Sequence, residues 1–300
     1  MAARDEALPA LHGRRAGPPV GVRYLLNRYA RNRLALWGLW VVTGVVLAAV
    51  LAPALAPADP TKTDFGALLQ PPSRAHLLGT DDLGRDILSR VIYGARTSLL
   101  AGVIAVGLAV AVGVPLGLLS GYFRGRLDNV LMRVTDGMMA IPYFFLVLIV
   151  VAVFGSSFRN IVLVIGVTSW MVVARIVRSE VLRTRELDFV LAARALGASS
   201  TRILLRHILP HAVPSIIVAA TLGVANAILL ESALSYLGLG IQPPQASWGN
   251  MLSNSQAYLW ENPLLPLYPG LLILLTVLAY NFLGDALRDA LDPQYREGQL

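Results

Sequence analysis

The fold is decided by residues 97–123, TSLLAGVIAVGLAVAVGVPLGLLSGYF, a run of 27 residues without a charged side chain. About 20 apolar residues are enough to cross a bilayer as a helix. The rest of the chain agrees, since 56% of its 300 residues are hydrophobic, 14% are charged and the mean hydropathy is +0.63, whereas soluble domains carry about 25% charged residues. The sequence predicts an all-α, polytopic membrane protein.

Five further runs are poor in charge, and a charge at the bilayer centre costs about 2.5 to 3.5 kcal/mol. They cover residues 34–52, 137–158, 160–174, 213–238 and 266–284. The run 160–174 is short, but the stems of Arg175 and Arg178 are long enough to reach the headgroups and extend it. We therefore predict six transmembrane helices, with an anchor helix at 34–56 and a core of five at 97–287.

Lysine and arginine are distributed unequally between the loops. Alternate loops hold 19 on one side and six on the other, and the positive-inside rule assigns the richer side to the cytoplasm. The tails 1–33 and 288–300 are therefore expected in the cytoplasm and the loop 57–96 outside. Residues 54–56, Ala-Leu-Ala, also resemble a signal-peptidase site, but the polar stretch and the apolar run before them are longer than in signal peptides. We interpret the first run as an uncleaved anchor.

The composition argues against several kinds of site. Cysteine is absent, and His12, His76, His207 and His211 do not have metal-ligand spacing, so no metal site is predicted. The net charge of +7 is not arranged as a basic stripe with interleaved aromatic residues, so no nucleic-acid partner is expected. The only lysine, Lys62, follows a threonine rather than a glycine, so the chain has no Walker sequence for ATP.

Small residues recur at every fourth position of the run 97–123. They are Ala101, Ala105, Ala109, Gly113, Gly117 and Gly121. In lipid, small residues allow two helix backbones to approach closely, so this stripe predicts tight packing against a helix of this chain or of a partner subunit. The alternative is that alanine and glycine are simply common in such helices.

The segment between the fourth and fifth runs, bounded at 179–211, has the composition of a folded element. Asp188 is expected to cap a helix that ends before Gly197. Ser199 is expected to cap a second helix, which Pro210 limits. Both helices are too apolar to lie free in the cytosol. They contact the underside of the membrane domain or a partner, or the segment is a positively charged topology determinant on lipid headgroups.

The same segment contains Ala192-Ala193, then three residues and Gly197, and ends on Leu209-Pro210. This run resembles the coupling motif of permease subunits in ATP-binding-cassette importers. The departures from that motif are Leu191, in place of its leading Glu, and His207, in place of an Ile. The first departure affects one polar docking contact and leaves the helix-turn-helix intact. The resemblance implies a surface for coupling to an ATPase that consists of Asp188, Leu191, Ala192, Ala193, Arg194, Gly197, Ser199, Arg202, His207, Leu209 and Pro210.

Longer strings are similar to the second, C-type permease of dipeptide, oligopeptide and nickel importers. They are HLLGTDDLGRD (76–86), DFVLAARALG (188–197), RHILP (206–210), ESALSYLGLG (231–240), and PP (243–244) with SWGN (247–250). The similarity covers about residues 24–295 and implies a type I importer permease fold in a bacterial inner membrane. It also implies a second permease, two ATPases that bind ATP and magnesium, and an extracytoplasmic solute-binding protein, with no catalytic residue or cofactor in this chain.

Glu231 is the single acid inside a predicted span, about 27 Å along the fifth helix and near the outer interface. It is a candidate for the pathway or a gate, and equally for structural pairing or solvation at the pore mouth. A stand-alone secondary transporter would need more intramembrane ion ligands, and a membrane hydrolase would need a base within the spans. The transported substrate, whether dipeptide, oligopeptide, nickel chelate or glycoside, is not determined by these residues.

Two loop segments outside the spans are also distinctive. Asp81, Asp82, Arg85 and Asp86 are expected to cap and order the helix entering the second span, or else to form an exposed charged loop. The stretch 241–260 contains Trp248, Tyr258 and Trp260. For two of these rings we favour an aromatic belt over a docking surface for a binding protein.

The predicted topology can be tested with single cysteines, because the chain has none of its own. Cysteines replacing Ala16, Ser73 and Gln256 are exposed to a membrane-impermeant maleimide in whole cells. Positions 73 and 256 should be labelled and position 16 should not. Labelling at 16 with protection at 73 would reverse the orientation, and loss of the N-terminal segment would identify a cleaved signal.

Overall fold

The structure is a computed structural model that describes residues 32–291, so most of the two predicted tails, with His12, lies outside the described residues. Within this range the regular secondary structure is helical, and one isolated antiparallel bridge joins Thr80 and Asp86. The helices are α1 (Arg33–Val50), α2 (Ala52–Leu55), α3 (Ile87–Phe123), α4 (Gly125–Met139), α5 (Tyr143–Phe154), α6 (Phe158–Thr184), α7 (Asp188–Ala195), α8 (Ser200–Ile203), α9 (Leu209–Tyr236), α10 (Trp248–Ser255) and α11 (Leu264–Leu291). The all-α class is confirmed.

Five helical stretches are long and apolar enough to cross a membrane: α1, α3, α6, α11 and the stretch 200–236. The pair α4 and α5 makes a sixth crossing if it is counted as one span, and its two helices meet at a bend of 81°. The core lies between α3, α6 and α9, while α11 packs against α9 and connects α1 to the bundle. The predicted number of six transmembrane helices is therefore reached only if α4 and α5 together form one bent span.

The third apolar run, 137–158, is not the continuous helix that its composition predicts. The helix breaks at residues 140–142, and α5 begins after Pro142. Proline lacks an N–H group and disfavours helical backbone at the residue before it. Because α5 has 12 residues and is about 18 Å long, it is shorter than the roughly 30 Å hydrocarbon core.

The helix of the second span begins ten residues before the apolar run. Asp86 is its N-cap, and a carboxylate oxygen of Asp86 accepts a hydrogen bond from Ser89 N at 2.8 Å. Arg90 lies inside this helix, is 1% exposed and places its Nε 3.3 Å from Asp81 Oδ2. Charge patterning misplaced the start of the helix because the loop before it supplies the counter-charge.

Two arginines of α6 form ion pairs with α4, where the sequence predicted contact with lipid headgroups. Arg178 binds both carboxylate oxygens of Asp128, at 2.6 and 2.7 Å, and Arg175 pairs with Asp136. Asp128 also accepts a hydrogen bond from Ser120 of α3. The bidentate pair thus fixes α4 across the ends of α3 and α6.

Pro210 does not limit the second helix of the 179–211 segment, contrary to the sequence-based prediction. One helical stretch runs from Ser200 to Tyr236 through a π-helical turn, Leu204–Ile208, in which Leu209 N bonds to Leu204 O. Proline is tolerated in the first turn of a helix segment, and this wider turn places Pro210 at the start of α9. The second helix of the segment is therefore continuous with the fifth span.

The small-residue stripe of α3 packs against α6 in the same chain. All six residues of the stripe are buried. A Cβ atom on Gly117 would lie 2.6 Å from Ala174 O and 2.7 Å from Val177 Cβ. Gly113 and Gly121 are equally tight against Val173 and Val181. The two backbones therefore approach as closely as glycine permits.

Replacing Gly117 with leucine should separate α3 from α6, because no space exists for the added carbons, and overpacking of this kind costs about 1 to 3 kcal/mol or more. Gly107→Leu on the same helix is the matched control, since nothing lies within 4 Å of a Cβ atom at that position. Thermal unfolding of the detergent-solubilised protein measures the difference. Equal loss of stability in the two variants would remove the packing argument.

Candidate coupling site

The segment after α6 forms a helix-turn-helix on one face of the bundle, here called the helix-turn-helix face. α7 begins at Asp188 itself, and its N-cap is Leu187, so the expectation that Asp188 is the cap is wrong. Leu187 N bonds to Thr184 O at the end of α6, which places the turn one residue earlier than the sequence indicates. Asp188 instead lies in the first turn of α7, where a carboxylate is favourable to the helix dipole.

The turn between the two helices is built on Gly197. Its φ is +80°, Gly197 N bonds to Arg194 O, and Ala198 N bonds to Ala193 O, each at 3.0 Å. These two bonds form a Schellman motif, which requires left-handed backbone at the glycine. Ser199 then caps α8 by accepting a hydrogen bond from Arg202 N. Backbone geometry thus sets the angle between the helices.

One side of the helix-turn-helix is part of the core. Val190, Ile203 and Ile208 are each at most 1% exposed and pack in one cluster with Val177 and Val181 of α6. The segment is therefore attached to the bundle through side chains of α6, α7 and α8.

The other side exposes large apolar groups and basic groups. Leu196 at the turn is 88% exposed, and the remaining exposed members of this side include Phe189, Leu191, Ala192, Arg194, Arg202, Leu205 and Pro210. Ala193, His207 and Leu209 are partly exposed. Most of the predicted coupling residues are thus exposed or partly exposed.

Glu231 is fully buried between α3, α9 and the segment that leads to α10. Its Oε2 accepts a hydrogen bond from Ser98 Oγ at 2.9 Å, and its Oε1 accepts one from Ser235 Oγ at 2.7 Å. These hydroxyls accept hydrogen bonds from Trp248 N and Ile241 N. Glu231 therefore connects two helices and the 237–250 segment through hydroxyl groups, a role that the sequence indicated only as one of several.

Trp248 is buried, contrary to a place in an aromatic belt. Its ring is 0% exposed, and its Nε1 donates to Val91 O of α3 at 3.1 Å. Trp260, in contrast, is 93% exposed. The hydrophobic pattern of the sequence does not show which of these rings is buried. The burial of Trp248 depends on a distant residue, Gly94 of α3, since a Cβ atom at that position would lie 2.9 Å from the indole.

The acidic loop before α3 is a folded network on the face opposite the helix-turn-helix. Arg85 is 2% exposed and donates to Asp81 Oδ2 at 2.7 Å. His76 Nδ1 lies 3.0 Å from Asp86 Oδ1. Burial of the Asp82 carboxyl raises its pKa above the ordinary value, and repulsion from Asp81 is the second, smaller cause of the same shift. Together these contacts fix the outer end of α3.

Within residues 32–291 there is no group of three or more histidine or acidic side chains placed to hold a metal ion. A cavity of about 720 Å³ lies where the end of α2 meets α3, with Tyr93, Arg96 and Phe158 in its lining.

A bundle of membrane-spanning helices with a folded helix-turn-helix that exposes apolar side chains on one face defines a multi-pass membrane protein. Residues 113–297 match the family of binding-protein-dependent transport system inner membrane components, and residues 22–72 match the N-terminal transmembrane domain of oligopeptide transport permease C. The chain belongs to this binding-protein-dependent transport permease family.

Curated relatives agree over nearly the whole chain. The dipeptide transport system permease protein of Alkalihalophilus pseudofirmus is 42% identical over 91% of this chain and 90% of its own length. The protein of the same name from Haemophilus influenzae is 43% identical over 90% and 93%. The oligopeptide transport system permease protein of Bacillus subtilis is 41% identical over 90% and 88%. The resemblance to C-type permeases is confirmed.

Solved structures show the same fold. An inward-facing structure of the MetNI methionine ABC transporter aligns with a TM-score of 0.55 at 18% identity, over 67% of this chain and 96% of the matched chain. A second crystal form gives 0.56 at 19% identity, over 68% and 97%. The permease fold predicted from the sequence is therefore confirmed.

Removing the Glu231 carboxylate should destabilise the bundle, and the loss should be smaller in a glutamine variant than in a leucine variant. Glu231→Gln places an amide N–H₂ against one donating hydroxyl and should cost about 1 kcal/mol, whereas Glu231→Leu leaves two buried hydroxyls without an acceptor at about 1 to 3 kcal/mol each. Thermal unfolding in detergent measures both, with Glu261→Gln in an exposed loop as the control. Parent-like stability of Glu231→Leu would contradict the anchoring role.

Proposed function

We propose that this chain is the permease subunit of an ATP-driven importer of peptides, and that it forms half of the translocation path. The observation that carries the proposal is the helix-turn-helix, whose inner side is packed into the core and whose outer side exposes Leu191, Leu196 and Leu205. An exposed apolar patch on a rigid element is typical of a protein-interaction surface. The names of the relatives supply the substrate class.

The partner on this surface is proposed to be an ATPase subunit. The chain has no Walker sequence, so ATP and magnesium would be bound by two ATPase subunits. The Gly197 turn keeps α7 and α8 in one arrangement, so closure of the ATPases would move the pair as a near-rigid body. The chain itself would be non-catalytic and would provide alternating access.

The remaining subunits of the proposed importer are placed by the predicted orientation of this chain in the membrane. We infer that the helix-turn-helix face is cytoplasmic from the excess of lysine and arginine on that side, and the same excess assigns both terminal tails to the cytoplasm. The opposite face, with residues 56–86 and 237–262, receives peptide from an extracytoplasmic solute-binding protein. A second permease completes the path in the bacterial inner membrane. A stand-alone secondary transporter is less consistent, since both carboxylate oxygens of Glu231 are engaged by hydroxyls.

Gly197→Val should impair binding-protein-stimulated ATP hydrolysis and peptide uptake while the protein still inserts and assembles. Nothing lies within 4 Å of a Cβ atom at Gly197, so the effect arises from backbone strain at φ +80°, about 1 to 3 kcal/mol. Gly197→Asn should be milder, because asparagine adopts left-handed backbone more readily. The measurements are ATPase activity and uptake in liposomes containing the complete importer.

Arg202→Glu is the control for charge on the same surface. An exposed charge contributes about 0 to 1 kcal/mol, so this reversal should reduce coupled transport less than Gly197→Val. Assembly is assessed by co-purification of all subunits. Normal coupled transport in Gly197→Val would show that the helix-turn-helix does not transmit the movement, leaving the lipid-surface interpretation of its apolar residues.

A further inference from the structure

Arg185, at the junction of α6 and α7, holds the end of α3. Its Nη1 donates to Tyr122 O at 2.6 Å and to Gly121 O at 3.3 Å. Its Nε lies 3.1 Å from Glu186 Oε1, and the same carboxylate oxygen is 3.5 Å from Arg124 Nη2. The Arg185 side chain is 16% exposed. The guanidinium is thus held in one position by two carbonyls of α3 and by the carboxylate of the neighbouring Glu186.

The two carbonyls belong to the last turn of α3, where helix carbonyl oxygens have no partner within the helix. α3 ends abruptly, since Arg124 has a φ of 52°. A cation at this end is also favourable to the helix dipole. The guanidinium of Arg185 is planar and fixes the direction of its N–H donors, and Nη1 alone carries two of them, so it can bond both adjacent carbonyls while Nε bonds to Glu186.

The helix-turn-helix touches the same point of α3 a second time. The Arg194 guanidinium carbon lies 5.7 Å from the centroid of the Tyr122 ring, within range of a cation–π interaction. Arg185 itself precedes the first residue of α7 by three positions. Tyr122 is therefore held through its carbonyl by the start of the helix-turn-helix and through its ring by α7.

α3 connects this point to the opposite face. It has 37 residues and is about 55 Å long. At its other end, Val91 O accepts a hydrogen bond from Trp248 Nε1, and Arg90 Nη1 donates to Pro60 O, each at 3.1 Å. One continuous helix thus connects Tyr122 to the 56–86 loop and to α10.

We propose that Arg185 is a positioning residue that ties the helix-turn-helix to α3, so that movement of α7 displaces α3 and the opposite face with it. The inference rests on the proposed function, in which an ATPase moves the helix-turn-helix. It adds a second contact through which the helix-turn-helix would move the spans. Arg185 bonds to backbone carbonyls at the end of α3, in addition to the apolar contacts of the helix-turn-helix with α6.

The first test compares Arg185→Gln and Arg185→Lys with Arg183→Gln in the reconstituted importer. Arg183 lies in the last turn of α6, but its side chain is 68% exposed, and its ion-pair partner is Glu180 of the same helix. The measured quantity is peptide taken up per ATP hydrolysed. We expect a loss of about ten-fold for Arg185→Gln, because its bonds are charge-assisted. Arg185→Lys should lie between the glutamine variant and the parent, and Arg183→Gln should match the parent.

The second test measures the connection directly by spin labels on Phe123→Cys and Ala195→Cys, which are exposed positions in a chain without cysteine. In the parent, the distance between the labels should be the same in nucleotide-free and ATP-trapped importer. In Arg185→Gln, trapping should shift or broaden it. If that variant does not co-purify with its partners, the label pair in Arg185→Lys is measured against the same two expectations.

The outcomes separate the two proposals. Absence of ATP-driven uptake in the parent importer would overturn the proposed function. Uptake in the parent, with unchanged uptake per ATP in Arg185→Gln and an unchanged label distance, would overturn the role of Arg185 alone. Loss of uptake per ATP together with a nucleotide-dependent label distance in the variant supports it, because a residue that only stabilised the fold would lower the amount of assembled importer and leave the ratio intact.

Discussion

The close contact between α3 and α6 is the constraint on which the rest of the protein depends. Glycines at 113, 117 and 121 place the α3 backbone directly against Val173, Val177 and Val181. In lipid there is little hydrophobic drive for two apolar helices to meet, so dispersion at short range must hold them together. Since α9 and α11 are arranged around this pair, its geometry positions both faces of the protein.

Charged groups at the two ends of this pair are buried or partly buried, and each has an ion-pair partner. On the helix-turn-helix face, Arg178 binds Asp128 through two bonds. On the opposite face, Arg90 and Arg85 share the carboxylate of Asp81. Removing an ion from water costs several kcal/mol, and only a well-matched partner offsets it. These networks therefore act less as sources of stability than as devices that specify where each helix ends.

The same arrangement bears on the proposed role of the helix-turn-helix as a docking element that moves against a stable interior. The helix-turn-helix is joined to the bundle at the end of α6 and again through α9, with which α8 is continuous. Its inner apolar residues contact α6, and Arg185 contacts α3. A force on its exposed side therefore acts on three spans, which fits the proposed alternating access better than a flexible cytoplasmic loop would.

The sequence by itself determined the membrane class, the small-residue stripe, the turn at Gly197 and the capping at Ser199, because each depends on local composition or on the conformational preference of one residue type. The family also followed from contiguous strings of residues. The break before Pro142 and the passage of the helix through Pro210 depended on how the chain accommodates a missing N–H group, for which the sequence allows more than one solution.

Only the tertiary structure decided which helix the stripe contacts, that Glu231 and Trp248 are interior residues, and that Arg185 holds the end of α3. Each of these rests on groups far apart in the chain, such as Ser98 with Glu231 or Val91 with Trp248. Hydrophobic periodicity reports which face of a helix is apolar. It carries no information on which distant carbonyl or hydroxyl will satisfy a buried polar group, since that depends on the packing of the whole bundle.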